Sequence, residues 1–144
     1  AILDLGDRGR FCTATMATVT ASSAGLTVCL SAAGHPLPVL VTAAGCASFV
    51  GSYGSLLGVF EDITVSEHEL LLAPGDALVF YTDGVTERRD GDRMFGDHSL
   101  LPLCVAAAGS SADAFAGLIE EGVRNFGQQA SRDDLAVLVV RATG

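Results

Sequence analysis

The chain has 144 residues and a net charge of −9, with 49% hydrophobic and 17% charged residues. That balance excludes an intrinsically unfolded chain and fits one domain, because a chain this long buries roughly two-thirds of its unfolded surface in one core. The acidity excludes nucleic acid as a partner, since a phosphate backbone is bound by clustered Lys and Arg.

Arg10 to Val19 and Gly25 to Ser31 read as two strands joined by a polar turn, which is a hairpin signal. A third strand, Leu37 to Thr42, follows the kinked Gly34-His35-Pro36 segment. A glycine-rich stretch from Gly45 to Gly58 then leads into ITVSEHELLL, whose alternation predicts a strand with one wet face. Ala73-Pro74-Gly75-Asp76 is a tight turn that delivers the chain into ALVFYT, an apolar run of the kind found in buried central strands. That strand ends at Asp83-Gly84, and TERRDGDR reads as a charged loop.

Helical spacing follows, through Leu100, Leu101, Leu103, Cys104 and Ala107, and again through Phe115, Leu118, Ile119, Val123 and Phe126. Ser111 and Asp113 supply N-cap chemistry for the second helix, and Gly127 stands where it stops. A polar loop from Gln128 to Asp134 precedes a last buried strand, LAVLVV. Several antiparallel strands, two helices and one more strand make an α+β layered arrangement, with residues 1–144 in one domain. No apolar run reaches the roughly 18 residues of a membrane-spanning helix, and the acidic start lacks the basic segment of a signal peptide, so the expected setting is cytoplasmic. Cys12, Cys29, Cys46 and Cys104 lie far apart with no Cys-x-x-Cys pair, and are expected as buried free thiols.

The residues that suggest chemistry are acids at strand ends: Asp83 after Phe80-Tyr81-Thr82, and Asp133-Asp134 before Leu135-Ala136-Val137. Carboxylates on rigid strand ends, one beside a glycine, suit a hard divalent cation such as magnesium or manganese. Taken singly, each is more readily read as an ordinary strand-ending acid.

Five segments change that balance: SAGHPLPVLV (Ser31 to Val41), GSLLGV (Gly54 to Val59), LAPGDALVFYTDGVTERRD (Leu72 to Asp90), MFG (Met94 to Gly96) and SRDDLAVLVVR (Ser131 to Arg141). In this order they resemble the signatures of the PPM-type metal-dependent serine/threonine protein phosphatases, and more narrowly the bacterial stage II sporulation E group. The resemblance implies an α/β-sandwich of antiparallel sheets flanked by helices, with a two-metal Mn²⁺ or Mg²⁺ site at one end. It implies Asp83 and Asp133 as metal ligands, Asp134 as the lesser claimant, and a metal-activated water as nucleophile with no covalent intermediate. The implied substrate is phosphoserine or phosphothreonine in a regulatory protein, such as an anti-sigma-factor antagonist. His35 is read as structural, part of a Gly-Pro bend.

The chain also departs from the family. The Gly-Asp motifs of the family's first strands are not matched, because Gly6-Asp7 runs into Arg8-Gly9-Arg10 instead of an apolar strand. The expectation is therefore a C-terminal portion of a phosphatase domain, with an incomplete metal site and no activity of its own. A non-catalytic regulatory or partner-binding module of the same fold is the alternative. A cupin-like barrel, suggested by the PGD strand, is disfavoured because His35, His68 and His98 form no His-x-His set. A truncated sandwich exposes strand edges and apolar surface, so self-association is expected.

Overall fold

The computed structural model describes residues 11–127 and 134–143. β1 (Ala14–Ser22) and β2 (Gly25–Ala33) form the expected hairpin, in register from Ala14 opposite Ala33 to Ser22 opposite Gly25. The Ser22 hydroxyl closes its turn, donating to the Gly25 carbonyl and accepting from the Ala24 N–H, both at 3.2 Å. On its other side β2 pairs antiparallel with β6 (His68–Leu72) and, at Ala32 and Ala33, in parallel with the short β5 (Tyr53–Gly54).

The second sheet has β3 (Val39–Val41), β4 (Ala47–Phe49), β7 (Ala77–Tyr81) and β10 (Val137–Arg141) in the order β10-β7-β3-β4, with every neighbour antiparallel. The segment read as a charged loop contains more structure: a one-turn helix α1 (Asp83–Thr86) and a small hairpin of β8 (Arg89–Asp90) and β9 (Arg93–Met94). Gly91, with φ +61°, makes the hairpin turn possible. The two predicted helices are α2 (Gly96–Ala106) and α3 (Ala112–Phe126). Ser111 caps α3, its hydroxyl accepting from the Ala114 N–H at 3.3 Å.

Alternation along the second sheet sorts the core into two layers. Val39, Val41, Ala77, Val79 and Tyr81 pack with Leu100, Cys104, Phe115, Ile119 and Val123 of the helices. The alternate residues, Leu40, Leu78, Phe80 and Val140, pack with Val28, Leu30, Leu70 and Leu72 of the first sheet. The order is thus sheet, sheet, helix pair, an α+β arrangement as expected. Burying one Leu, Ile or Phe stabilises by about 1.5–3 kcal/mol, so these layers fix β7 firmly at the centre.

The cysteine expectation needs correction. All four are free thiols, but only Cys104 is buried; Cys29 is half-buried, and Cys12 and Cys46 are exposed. Cys29 lies between inward-facing Val28 and Leu30, so it falls on the outer face of the first sheet. Cys46 sits in the turn between β3 and β4, where its N–H bonds the Thr42 hydroxyl at 3.2 Å. Among the described residues no helix is long and apolar enough to cross a membrane.

Candidate functional site

β7 carries the chain through the middle of the core and releases it at Thr82, next to the start of β10. Thr82 joins the two. Its N–H donates to the Ala136 carbonyl at 3.1 Å, its hydroxyl donates to the Asp134 carbonyl at 2.7 Å, and that hydroxyl accepts from the Ala136 N–H at 3.0 Å. The ends of the two acidic segments are therefore clamped side by side. Asp134 is exposed at this clamp, and Asp133 lies outside the described residues.

Asp83 comes next and opens α1. The Val85 N–H donates to the Thr82 carbonyl at 3.0 Å and the Glu87 N–H to the Asp83 carbonyl at 2.7 Å. Buried Gly84 and Val85 anchor the turn, while Asp83 is exposed. The result is a carboxylate on a fixed backbone, its side chain without a hydrogen-bond partner among the described residues.

Asp83 lines a cleft of about 280 Å³ together with Glu87, Asp97, His35, Tyr53 and Tyr81. Three carboxylates face it and no Lys or Arg of the described residues does, so it attracts cations and repels a bare phosphate. Tyr81 is held in its neutral form: burial first, then the nearby Asp97 carboxylate, push its hydroxyl well above the usual phenol range.

Not every acid of the motifs is available. Asp76, in the Pro-Gly-Asp turn, spends both carboxylate oxygens on backbone, accepting from Ala43 N–H at 2.8 Å and Ala73 N–H at 3.0 Å. It closes the turn that aims β7.

His35, read from sequence as structural, lines the same cleft as Asp83. The Gly34-His35-Pro36 bend was its only local signal, and a bend does not tell which way the imidazole faces. The Thr82 clamp was likewise missed, because the hydroxyl's partners stand some fifty positions away along the chain, at Asp134 and Ala136.

Three carboxylates around one cleft fit a hard divalent cation better than a soft one. Among the described residues, however, no three His, Cys, Asp or Glu side chains gather as a metal-binding group. The donors present suit such an ion but do not complete its shell.

Comparison with known proteins gives the fold a context. The family model for stage II sporulation protein E (SpoIIE) matches residues 1–143. The RsbU and RsbW domains of Rv1364c from Mycobacterium tuberculosis are similar with 29% identity and a TM-score of 0.70, over 91% of this chain and 36% of that one. The phosphatase domain of the cell fate determinant SpoIIE from Bacillus subtilis, presoaked with manganese, gives a TM-score of 0.70 at 17% identity, over 90% of this chain and 57% of that one. Protein IcfG of Synechocystis sp. is 24% identical over 136 residues, which span 94% of this chain and 21% of that protein. The chain thus covers well under two-thirds of the length of each of these relatives.

Proposed function

The chain belongs to the stage II sporulation protein E family, and from that membership we propose that it forms part of a metal-dependent protein phosphatase acting on phosphoserine or phosphothreonine in a regulatory protein, such as an anti-sigma-factor antagonist. The observation that carries the reading is the Thr82 clamp, which ties the residue before Asp83 to Asp134 and Ala136, while Asp83 itself lines an acidic cleft.

In this reading Asp83 and Asp133 hold Mn²⁺ or Mg²⁺, with Asp134 the lesser claimant, and the remaining ligands come from outside the described residues. When bound, such ions neutralise phosphoryl charge and acidify water. The rest falls to the protein. Thr82 keeps the two carboxylate-bearing segments at a constant separation, so little reorganisation is needed when substrate arrives. α1 holds the Asp83 backbone while its carboxylate is exposed at the cleft. Tyr81, neutral at any physiological pH, offers a hydroxyl that donates without adding charge. Glu87 and Asp97 keep the cleft negative, which disfavours phosphate until cations are in place. A cytoplasmic setting goes with a phosphoprotein substrate of this kind.

The test is release of phosphate from a phosphoserine peptide by the full-length protein, in manganese and in excess chelator. Hydrolysis in manganese only, lost in Asp83→Asn, is the expected result. Hydrolysis that survives chelation would refute the metal requirement.

A further inference from the structure

The cleft contains an imidazole for which the metal reading has no use, and the structure holds it with some care. Gly34 has φ +64°, and a Cβ there would press on the Leu56 side chain, so any residue but glycine is strained at the position before His35. The Gly34 N–H donates to the Gly54 carbonyl at 3.1 Å, and Ala14 bridges to Gly34 from the other side. The ring itself is tied down by Thr13, whose hydroxyl lies 2.9 Å from Nδ1. Nε2 has no hydrogen-bond partner among the described residues. A half-buried ring with a fixed backbone, one nitrogen engaged, the other without a partner among the described residues, and a place in the wall of the Asp83 cleft is organised for a ligand.

The chemistry of the cleft says which kind. Among the described residues its charged lining is acidic, so in the phosphatase reading the positive charge that a phosphoryl group needs comes from metal ions. Phosphoryl oxygens turned away from those ions still need donors. A lysine or arginine in the wall would repel the ions, whereas a neutral imidazole donates without doing so. His35 is the N–H side-chain donor among the described residues that line this cleft.

Resting on the phosphatase reading, we propose that His35 is a substrate-binding residue: the Thr13 hydroxyl donates to Nδ1, which places the ring proton on Nε2, and Nε2–H donates to a phosphoryl oxygen of the phosphorylated side chain. No bond to the ring forms or breaks. Its contribution is to hold and orient the group that is hydrolysed, and Thr13 is a positioning residue that selects the tautomer.

The experiment is steady-state hydrolysis of a phosphoserine peptide by the full-length protein, with inorganic phosphate as competitive inhibitor. The variants are His35→Ala, His35→Gln, His35→Asn and Thr13→Val. Loss of one hydrogen bond to a charged group raises KM and the inhibition constant for phosphate in His35→Ala together, by about tenfold or more. Glutamine places its amide N–H near the position of Nε2 and recovers most of the loss; asparagine, whose amide reaches only the Nδ1 position, does not. Thr13→Val shows a smaller rise of the same two constants. The manganese concentration for half-maximal activity stays at the wild-type value in all four.

KM and phosphate inhibition unchanged in His35→Ala would overturn the proposal. So would equal behaviour of glutamine and asparagine, which marks a packing role, or a raised manganese requirement, which marks a metal ligand. Should the wild type show no hydrolysis, the phosphatase reading fails first. Calorimetric binding of inorganic phosphate in magnesium then decides the role of His35: binding weakened in His35→Ala and kept in His35→Gln supports it, and equal binding in both overturns it.

Discussion

Thr82→Val removes one oxygen and replaces it with a methyl of similar size, leaving the β-branched shape that suits the end of a strand. The oxygen makes two hydrogen bonds, at 2.7 Å to the Asp134 carbonyl and at 3.0 Å from the Ala136 N–H. Each is worth about 0.5–1.5 kcal/mol net. Both lie near solvent, where water takes over part of the loss, so the sum falls in the lower half of that range, about 1–2 kcal/mol. With a urea slope near 2 kcal/mol/M, the unfolding midpoint moves down by roughly 0.5–1 M with the slope unchanged. Thr82→Ser keeps the hydroxyl and serves as the control, its midpoint lying closer to wild type than that of the valine variant. Urea titration followed by far-ultraviolet circular dichroism makes the comparison. Equal midpoints for valine and serine variants would refute the idea that this hydroxyl joins β7 to β10.

Four further outcomes follow from other parts of the structure. Gly34→Ala forces a left-handed backbone on alanine and a Cβ onto Leu56, so thermal melts should show a loss of at least about 1–2 kcal/mol, and an unchanged melting point would contradict it. Burial pushes the Cys104 thiol up to about 12, while Cys12 and Cys46 are exposed, so a thiol reagent at pH 8 should label Cys12 and Cys46 and spare Cys104 until the protein unfolds. Because the folded-state value lies above the unfolded one, that thiol's contribution to stability is full below pH 9 and is lost as pH rises toward 12, which an alkaline titration of the urea midpoint reads. Met16 on β1 and Leu138 on β10 are 68% and 61% exposed at an open groove between the sheets, so this chain by itself should self-associate, and a clean monomer in light scattering at tens of micromolar would contradict that.

Much of the fold was legible because period and burial agree. β7 reads as a continuous apolar run and is flanked by both core layers; α3 repeats Phe115, Ile119 and Val123 on one face and carries its Ser111 cap. The failures also have physical causes. The strand predicted from Ile63 begins only at His68, because residues 63–67 alternate in character but have no strand partner, and Ile63 and Val65 remain exposed. α2 starts at Gly96, before its apolar spacing is visible, and runs through Pro102, which usually argues against a helix interior. Gly127 ends α3 where expected, but with an extended backbone at φ −157°. Its lack of a side chain matters instead for the close approach of Arg89, whose carbonyl would lie 2.8 Å from a Cβ.

The site divides in the same way. Asp83 lines the cleft and was singled out by the motifs around it, since a strand-ending acid beside glycine reads by itself as a turn, whereas Glu87, Asp97 and His35 reach the cleft only through the packing of α1, α2 and the Gly34 bend. Thr82 illustrates the limit most clearly: it looked like the last residue of a strand, and its role exists only once β10 lies beside it.

The most direct measurement is calorimetric titration of the full-length protein with manganese, comparing wild type, Asp83→Asn and Asp97→Asn. Both acids line the cleft, so general loss of negative charge affects both variants alike. Binding weakened roughly 10–100-fold or more in Asp83→Asn, a loss that even an outer partner of a metal ligand produces, with Asp97→Asn near wild type, is the predicted result. Wild-type manganese affinity in Asp83→Asn would contradict the assignment of this cleft as a metal-dependent phosphatase centre.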